Sequence, residues 1–259
     1  MLNLDQISQQ YPESLRPYQR ALLREYLQYK ILEIIFSWEH AAKLSFLGGT
    51  ALRILYGNTR FSEDLDFDNF GVTPEEFASL AHVVQQGLER EGYRVEMNLA
   101  GKEAYRCNVR FLDILYDNAL SEHQNEKILL QIDSAAHAIE YQPDRKMLNK
   151  FDVFTEIYAT PLDLLLSQKM YAAMNRKRAK GRDFYDIVFL LSLTKPNYPY
   201  LKEKIGVNNA QDLRARLVDH CLKLDFEALA LDVRPFLFTP SDARRVEAFP
   251  AFITQASFD

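Results

Sequence analysis

The chain of 259 residues contains 47% hydrophobic and 26% charged side chains, which is typical of a globular protein with one large domain or two smaller ones. Its net charge of −5 excludes the basic balance of a dedicated nucleic-acid coat protein, so contact with RNA would require a local basic patch. The polar N-terminus, the lack of a long apolar run and two cysteines without metal-ligand spacing predict a cytoplasmic protein with no membrane contact.

The first part of the chain alternates between helical and extended patterns. Apolar residues recur at three- and four-residue steps over residues 17–40, which predicts a long helix packed on a sheet. Residues 43–47 have an apolar strand pattern, residues 50–56 a helical one, and residues 61–70 an extended pattern with alternating acids. The expected order is therefore a strand, a Gly-Gly-Thr turn, a short helix and an acidic strand.

The acidic strand predicts a site for a divalent cation. Because side chains alternate along a strand, Asp64, Asp66 and Asp68 are expected on one face. Leu65 and Phe67 are expected to be buried on the other face. Neighbouring carboxylates repel one another at pH 7 unless a cation lies between them. Mg²⁺, or Mn²⁺ in its place, suits such a site because it binds a few carboxylates together with the phosphates of a substrate.

The Gly-Gly-Thr turn supplies the other half of a nucleotide site. Gly48, Gly49 and Thr50 open a helix, and backbone N–H groups at a helix N-terminus favour phosphate oxygens. The distance in sequence between this turn and Asp64 suits one nucleoside triphosphate that binds together with its metal.

These residues resemble a known family. The Gly-Gly-Thr turn of residues 48–53 followed by Ser62-x-Asp64-x-Asp66 is similar to the signature of the nucleotidyltransferase superfamily related to DNA polymerase β. Within that superfamily it resembles the AbiEii/AbiGii-type toxins, which act in abortive phage infection and toxin–antitoxin systems. The resemblance implies a nucleotidyltransferase fold, a phosphate contact from Ser62, metal ligands at Asp64 and Asp66, and a cognate antitoxin protein as partner.

Two other interpretations of the acidic strand stay open at this point. Asp64, Asp66, Asp68 and Glu75 occupy positions one, three, five and twelve of a calcium-loop pattern, although Asn69 stands where that pattern requires glycine. Alternatively, the acids are simply the solvated face of an edge strand.

Further strands follow a well-marked helix. Thr73 and Pro74, with acids behind them, predict the start of a helix over residues 74–92. Residues 93–99, 105–114 and 127–133 have strand patterns, and residues 100–103 join the first two. The resemblance implies a third carboxylate on a later strand, for which Asp133 is the first choice and Asp113 the reserve. Without the resemblance, Asp133 equally suits the cap of a turn into residues 134–136.

The sequence pattern changes from extended to helical near residue 158. Residues 144–159 are strand-like and loop-like, whereas Thr160 and Pro161 open a series of helical patterns. We therefore predict an α/β (α+β) fold, with a nucleotidyltransferase domain of mixed sheet and flanking helices over residues 1–158. A helical domain packed on it follows over residues 159–259, with helices at residues 162–178, 182–191, 211–224 and 242–258.

A basic stretch lies between the first two helices of this second half. Five cations occur within residues 175–182, which makes this stretch the obvious anion-binding surface of an acidic chain. We predict contact with an RNA backbone through five side chains: Arg176, Lys177, Arg178, Lys180 and Arg182.

The same region resembles the second signature block of the AbiEii-type family. Gln168-Lys169-Met170, the basic stretch and residues 182–187 match that block in order. The resemblance implies that Lys169 and Asp183 belong to the active site, with Lys169 as a positive charge on the triphosphate. Taken alone, Lys169 equally suits a surface lysine, and Arg182 with Asp186 suits an ordinary helical ion pair.

Together the two blocks predict an enzyme of the nucleotidyltransferase class. The predicted reaction is the metal-dependent transfer of a nucleoside monophosphate from a nucleoside triphosphate, with Asp64, Asp66 and Asp133 as metal ligands. The resemblance alone implies that the acceptor is RNA, a tRNA 3′ end. Two alternatives stay open: a nucleotide-binding interaction module without turnover, and a nucleotidyltransferase that acts on a small molecule.

Overall fold

The computed structural model describes residues 2–100, 105–136 and 139–259. These residues divide into two compact units: the first contains residues 2–55 and 61–159, and the second contains residues 56–60 and 160–259. The sequence did not indicate that residues 56–60 belong with the second unit, and the division into two domains at residue 158 stays a prediction. Residues 101–103 of the predicted connection lie outside the described residues.

The first unit is built on a mixed β-sheet. Its strands within the described residues are β1 (Leu44–Leu47), β2 (Leu65–Asn69), β3 (Val95–Ala100), β4 (Tyr105–Phe111), β5 (Ile128–Ala136), β6 (Asp144–Lys150) and β7 (Val153–Ala159). Their order across the sheet is β3-β4-β5-β2-β1-β7-β6. Strand β2 lies between β5, to which it is parallel, and β1, to which it is antiparallel. The acidic strand is therefore an interior strand, and the edge-strand interpretation is wrong.

Helices precede and interrupt these strands. They are α1 (Leu4–Gln9), α2 (Gln19–Phe36), α3 (Gly48–Tyr56), α4 (Pro74–Arg90) and α5 (Ile114–Asp117). Helix α2 packs against β7 and α4, which explains why its side chains from Leu22 to Ile35 are nearly all buried. Helix α4 begins with Thr73 as its cap and Pro74 in its first turn, as the sequence predicted, and Glu76 completes a reciprocal capping pair with Thr73. The mixed sheet with flanking helices confirms the predicted fold class.

The acidic strand is shorter than the sequence pattern suggested. Gln28, a buried side chain of α2, donates 3.0 Å hydrogen bonds to the carbonyl groups of Ser62 and Glu63. The Thr50 hydroxyl donates to the carbonyl of Asp64. These contacts hold the backbone before the strand, so that the strand begins at Leu65 rather than at residue 61.

The calcium-loop interpretation is wrong for a related reason. Asp66, Asp68 and Asn69 lie inside β2, where the backbone is extended and paired on both sides. Glu75 lies in the first turn of α4. A calcium loop requires its ligands on one continuous turn between two helices, which this arrangement does not provide.

The second unit is helical in its described residues. It contains α6 (Leu162–Asn175), α7 (Gly181–Leu191), α8 (Tyr198–Ile205), α9 (Ala210–Cys221), α10 (Phe226–Val233), α11 (Arg244–Glu247) and α12 (Phe249–Gln255). The predicted last helix is split, and Pro250 lies in the first turn of α12, where proline is tolerated. The rings of Phe184, Phe226 and Phe249 pack together in its core. None of the helices in the described ranges has the length and apolarity needed to span a membrane.

Candidate active site

The strand register brings two acids and an arginine into one row. Asp66 on β2 is paired with Asp133 on β5, and Arg106 on β4 is paired with Asp133 from the other side. Paired residues on neighbouring strands point to the same face, and the strands lie about 4.8 Å apart. We call Arg106, Asp133 and Asp66 the cross-strand row.

The register also separates the two positions considered for the third carboxylate. Strand β5 continues to Ala136, so Asp133 lies inside a strand and the turn-cap interpretation is wrong. Asp113 lies beyond the opposite end of β4, where it has a positive φ of 56° and forms a 2.7 Å ion pair with Arg94. Asp133 is therefore the carboxylate beside Asp66.

Gly48 lies directly against the cross-strand row. Its φ is +81°, and a methyl group built on it would lie 2.2 Å from Oδ2 of Asp66. The Asp66 carboxylate thus contacts the backbone at the first turn of α3, where unpaired helix N–H groups favour negative charge. The Gly-Gly-Thr turn and the acidic strand, predicted as two halves of one site, meet at this contact.

The two hydroxyl groups predicted to contact phosphate, those of Thr50 and Ser62, differ in whether the protein itself already binds them. Thr50 is fully buried, and its hydroxyl is engaged 2.5 Å from the carbonyl oxygen of Asp64. Its backbone N–H, with those of Gly48 and Gly49, belongs to the first turn of α3 and has no earlier helical carbonyl to bind. The Ser62 side chain is half-buried, and its hydroxyl has no hydrogen-bond partner within the described part of the chain. Ser62 is therefore the hydroxyl available to a substrate.

A cavity of about 560 Å³ opens at the cross-strand row. It is lined by Leu47, Asp66, Asp68, Tyr105, Arg106 and Asp133, among other residues. Its volume lies within the range of small-molecule sites, about 300–1,000 Å³. Asp68 is nearly buried and accepts a 2.7 Å hydrogen bond from the hydroxyl of Tyr141. The two more open acids of the cavity, Asp66 and Asp133, are those that belong to the row.

Arg106 holds Asp133 through two hydrogen bonds. Its Nε and one terminal nitrogen lie 2.7 and 2.9 Å from the two carboxylate oxygens. These bonds, together with the charges of Asp133, Asp64 and Asp66, raise the pKa of Arg106, so that its guanidinium stays charged. No local motif in the sequence indicates Arg106, because its position opposite Asp133 depends on strand register.

The acids of the row fit a Mg²⁺ ion that shares its ligands with a triphosphate. No cluster of three or more His, Cys, Asp or Glu side chains in the described ranges is arranged to hold a metal by itself. Mg²⁺ usually takes one or two carboxylates and completes its shell with water and substrate phosphates. Asp66 and its cross-strand neighbour Asp133 supply such a partial ligand set beside the helix N-terminus, and Asp64 lies in the segment just before β2.

The second signature block lies in the second unit and forms a buried ion network. Asp186 accepts hydrogen bonds of 2.7 and 2.6 Å from the guanidinium of Arg60 and lies 2.9 Å from Nζ of Lys169. Lys169 also contacts Asp183 at 3.2 Å. Burial alone would lower the pKa of Lys169, but the charges of Asp186 and Asp183 outweigh it and raise the pKa. Lys169 is largely buried, so the surface-lysine interpretation is wrong.

The basic stretch forms the connection between α6 and α7. Nε of Arg176 lies 3.0 Å from Oδ2 of Asp183, and the Arg182 guanidinium lies 4.6 Å from the centre of the Phe236 ring. Lys177 and Arg178 are exposed, Lys180 is half-exposed, and none of these three has an ion-pair partner in the described structure. They are the cations of the stretch that remain available to an anionic partner.

Comparison with known proteins decides the family. Residues 31–254 match the family described as nucleotidyl transferase AbiEii toxin, type IV TA system. The match covers most of the chain. The chain belongs to the AbiEii nucleotidyltransferase toxin family. This confirms the family and the enzyme class that the two sequence blocks indicated. A search among curated proteins found no match.

Two solved structures share the fold of this AbiEii-family chain. A Helicobacter pylori protein described provisionally as a nucleotidyltransferase is 20% identical, with a TM-score of 0.59 over 91% of this chain and 95% of that chain. JHP933 from Helicobacter pylori is also 20% identical, with a TM-score of 0.57 over 91% of this chain and 92% of that chain. At this identity the likeness concerns the fold alone.

Substituting Gly48 with alanine is expected to inactivate this nucleotidyltransferase. The added methyl group would displace the Asp66 carboxylate, in addition to about 1 kcal/mol of strain from the positive φ. Gly71→Ala is the matched control, because Gly71 has a φ of +82° but no atom within 4 Å of the added methyl group. Thermal unfolding and nucleotide transfer should be measured on both. Equal transfer rates in the two variants would contradict a role for the Gly48–Asp66 contact.

Proposed function

We propose that this AbiEii-family enzyme transfers a nucleoside monophosphate from a nucleoside triphosphate to RNA, at a tRNA 3′ end, with Mg²⁺ or Mn²⁺ as cofactor. The observation that carries the proposal is the contact of Asp66 with Gly48 at the first turn of α3, beside Asp133. Carboxylates bind the metal and helix N–H groups favour phosphate, so this contact suits a triphosphate and its metal together.

In the proposed reaction, the oxygen of the acceptor hydroxyl bonds to the α-phosphorus, and the bond from that phosphorus to the α–β bridging oxygen breaks to release pyrophosphate. The bound metal would neutralise charge that develops on the phosphate oxygens. Asp64 and Asp66 would hold it, and the N–H groups of the Gly-Gly-Thr turn would orient the triphosphate. The Ser62 hydroxyl would donate to a phosphate oxygen, and Asp133 would accept the proton of the acceptor hydroxyl.

The family resemblance assigns Lys169 and Asp183 to the same reaction. In the second unit Asp183 lies 3.2 Å from the Lys169 ammonium, whose raised pKa keeps it charged. We propose that Lys169 neutralises the leaving pyrophosphate and that Asp183 orients Lys169.

The connection between α6 and α7 is proposed to contact the RNA backbone. Changing Lys177 and Arg178 together to glutamine should remove about two phosphate contacts. The slope of the logarithm of RNA affinity against the logarithm of salt concentration should then become less steep by about two. The matched control is Lys202→Gln with Lys204→Gln, which removes the same charge from α8. Filter binding of tRNA at several salt concentrations measures the slopes. The same slope in both double variants would contradict this surface.

The family to which this chain belongs is described as the toxin of a type IV toxin–antitoxin system. We therefore propose a cognate antitoxin protein as partner, and the cytoplasm as the compartment, since tRNA and nucleoside triphosphates are available there.

The test of the proposed function is incubation of the purified protein with total RNA, Mg²⁺ and each α-labelled nucleoside triphosphate in turn. We expect label in a tRNA-sized band with the wild type and none with the Asp64→Ala, Asp66→Ala variant. Pyrophosphate release with small acceptors, and no labelled RNA, would instead favour a small-molecule enzyme. Metal-dependent triphosphate binding without any pyrophosphate release would favour an interaction module.

A further inference from the structure

Arg106 is hydrogen-bonded to Asp133, the carboxylate that accepts a proton in the proposed reaction. Its hydrogen bonds of 2.7 and 2.9 Å engage both oxygens of Asp133. The two residues are directly paired between β4 and β5, so strand register holds the contact in place. Bidentate arginine–carboxylate pairs are among the stronger polar contacts in proteins. The pair is therefore a built feature of the cross-strand row.

A metal ion and Arg106 compete for Asp133. Mg²⁺ binds carboxylate oxygens at about 2.0–2.1 Å and requires nearly ideal geometry. A bidentate guanidinium lies in front of the same two oxygens, and its positive charge repels a divalent cation. The two hydrogen bonds occupy the carboxylate lone pairs that face Arg106, so a metal or a proton reaches these lone pairs only when at least one of the bonds breaks. At the remaining lone pairs the guanidinium charge opposes a cation.

We propose that Arg106 is a substitute cation, which neutralises Asp133 in the nucleotide-free protein and exchanges this carboxylate for a phosphate group when metal and triphosphate bind. This inference rests on the proposed function, because the exchange partner is the triphosphate of that reaction. The guanidinium fork matches phosphate as well as it matches carboxylate. The Arg106 side chain is 51% exposed, so it has room to move.

The exchange couples metal binding to nucleotide binding. Without nucleotide, Arg106 would have to weaken or give up its contact with Asp133 for a metal to bind this carboxylate, and the guanidinium would lose this anion. A metal that arrives with a triphosphate supplies a new anion for Arg106 in the same cavity. The nucleotide-free protein should therefore bind metal weakly, and removal of Arg106 should strengthen that binding.

Mn²⁺ binding to the nucleotide-free protein tests the proposal by electron paramagnetic resonance titration of the free ion. Arg106→Gln removes the charge and the bidentate contact, and we expect it to tighten Mn²⁺ binding about three- to tenfold. Circular dichroism should show an unchanged fold, because Arg106 is exposed. Arg110→Gln is the matched control: Arg110 lies on the same face of β4 but is paired with Leu129. Its Mn²⁺ affinity should equal that of the wild type.

Three results would overturn the exchange. The first is an unchanged Mn²⁺ affinity in Arg106→Gln. The second is a weaker Mn²⁺ affinity in that variant, which would make Arg106 an orienting partner of Asp133. The third is an equal gain in Mn²⁺ affinity in Arg110→Gln, which would indicate a general charge effect. Asp66→Asn separates this inference from the proposed function. If Asp66→Asn abolishes Mn²⁺ binding while Arg106→Gln leaves it unchanged, the metal site stands and the exchange fails. If neither the wild type nor Arg106→Gln binds Mn²⁺ without nucleotide, the exchange fails, whereas the proposed function depends on the transfer of labelled nucleotide to RNA.

Discussion

Replacing Asp66 with asparagine is expected to lower the rate of nucleotide transfer by about 10³-fold or more without loss of the fold. Asp66 lies between the first turn of α3 and Asp133, so its charge acts where the triphosphate and its metal are proposed to bind. Asparagine keeps the shape of the side chain and its fit against Gly48 but removes the charge. The measurement is incorporation of α-labelled nucleotide into RNA at saturating Mg²⁺.

Glu63→Gln is the matched control for this substitution. Glu63 precedes the acidic strand, is partly exposed and forms a 3.1 Å ion pair with Arg24. The change removes the same charge close in sequence but outside the cross-strand row, so most of the activity should remain. Wild-type activity in Asp66→Asn, or equal losses in both variants, would contradict the assignment of Asp66 as a metal ligand.

Asp186→Asn is expected to lower the free energy of unfolding by about 3–5 kcal/mol. Asp186 is fully buried and forms a 2.6 Å ion pair with Arg60, whose side chain is only 2% exposed. Asparagine would leave the guanidinium buried beside a neutral group and the Lys169 ammonium with Asp183 as its remaining carboxylate partner. Chemical unfolding followed by circular dichroism measures the loss.

The control for Asp186 is Asp219→Asn on α9. Asp219 forms a 2.6 Å pair with Lys223 one helical turn away, and both side chains are about two-thirds exposed. Losing the Asp219–Lys223 pair should lower the free energy of unfolding by no more than about 0.5 kcal/mol, since exposed helical ion pairs contribute little to stability. Equal destabilisation by the two substitutions would mean that the buried network does not support the second unit.

The network also sets an expected response of stability to pH. Burial alone raises the pKa of Asp186, but Arg60 and Lys169 outweigh it and hold the pKa below the usual value of about 3.9. Such a carboxyl stabilises the fold above its unfolded-state pKa, and the contribution is lost as pH falls towards the folded-state pKa. Stability should therefore decrease below about pH 4 in the wild type, and less so in Asp186→Asn.

Local signals in the sequence explain why much of the fold was predictable. The start of α4 followed from Thr73, Pro74 and Glu76, because a cap, a proline and an acid in the first turn act within a few residues of one another. The turn at Gly48 and the alternation around Asp66 are equally local. Such features depend on backbone geometry over one turn or one strand, so a single sequence displays them.

The missed features depend on contacts between distant parts of the chain. Gln28 shortens the acidic strand from 34 and 35 residues away, through hydrogen bonds to two carbonyl groups. Arg60 meets Asp186 across 126 residues, and Arg106 meets Asp133 only through strand register. No periodicity or spacing encodes these partners, and they decide which charged groups are free for chemistry.

We propose above all that this protein breaks the bond from the α-phosphorus to the α–β bridging oxygen of a nucleoside triphosphate and transfers the nucleotide. Parallel incubations with total RNA and triphosphate labelled either at the α- or at the γ-phosphate test it directly. Label should enter RNA from the α-position alone, and labelled pyrophosphate should be released from the γ-labelled substrate. Label that enters RNA from the γ-position would show phosphoryl transfer instead and would contradict the claim.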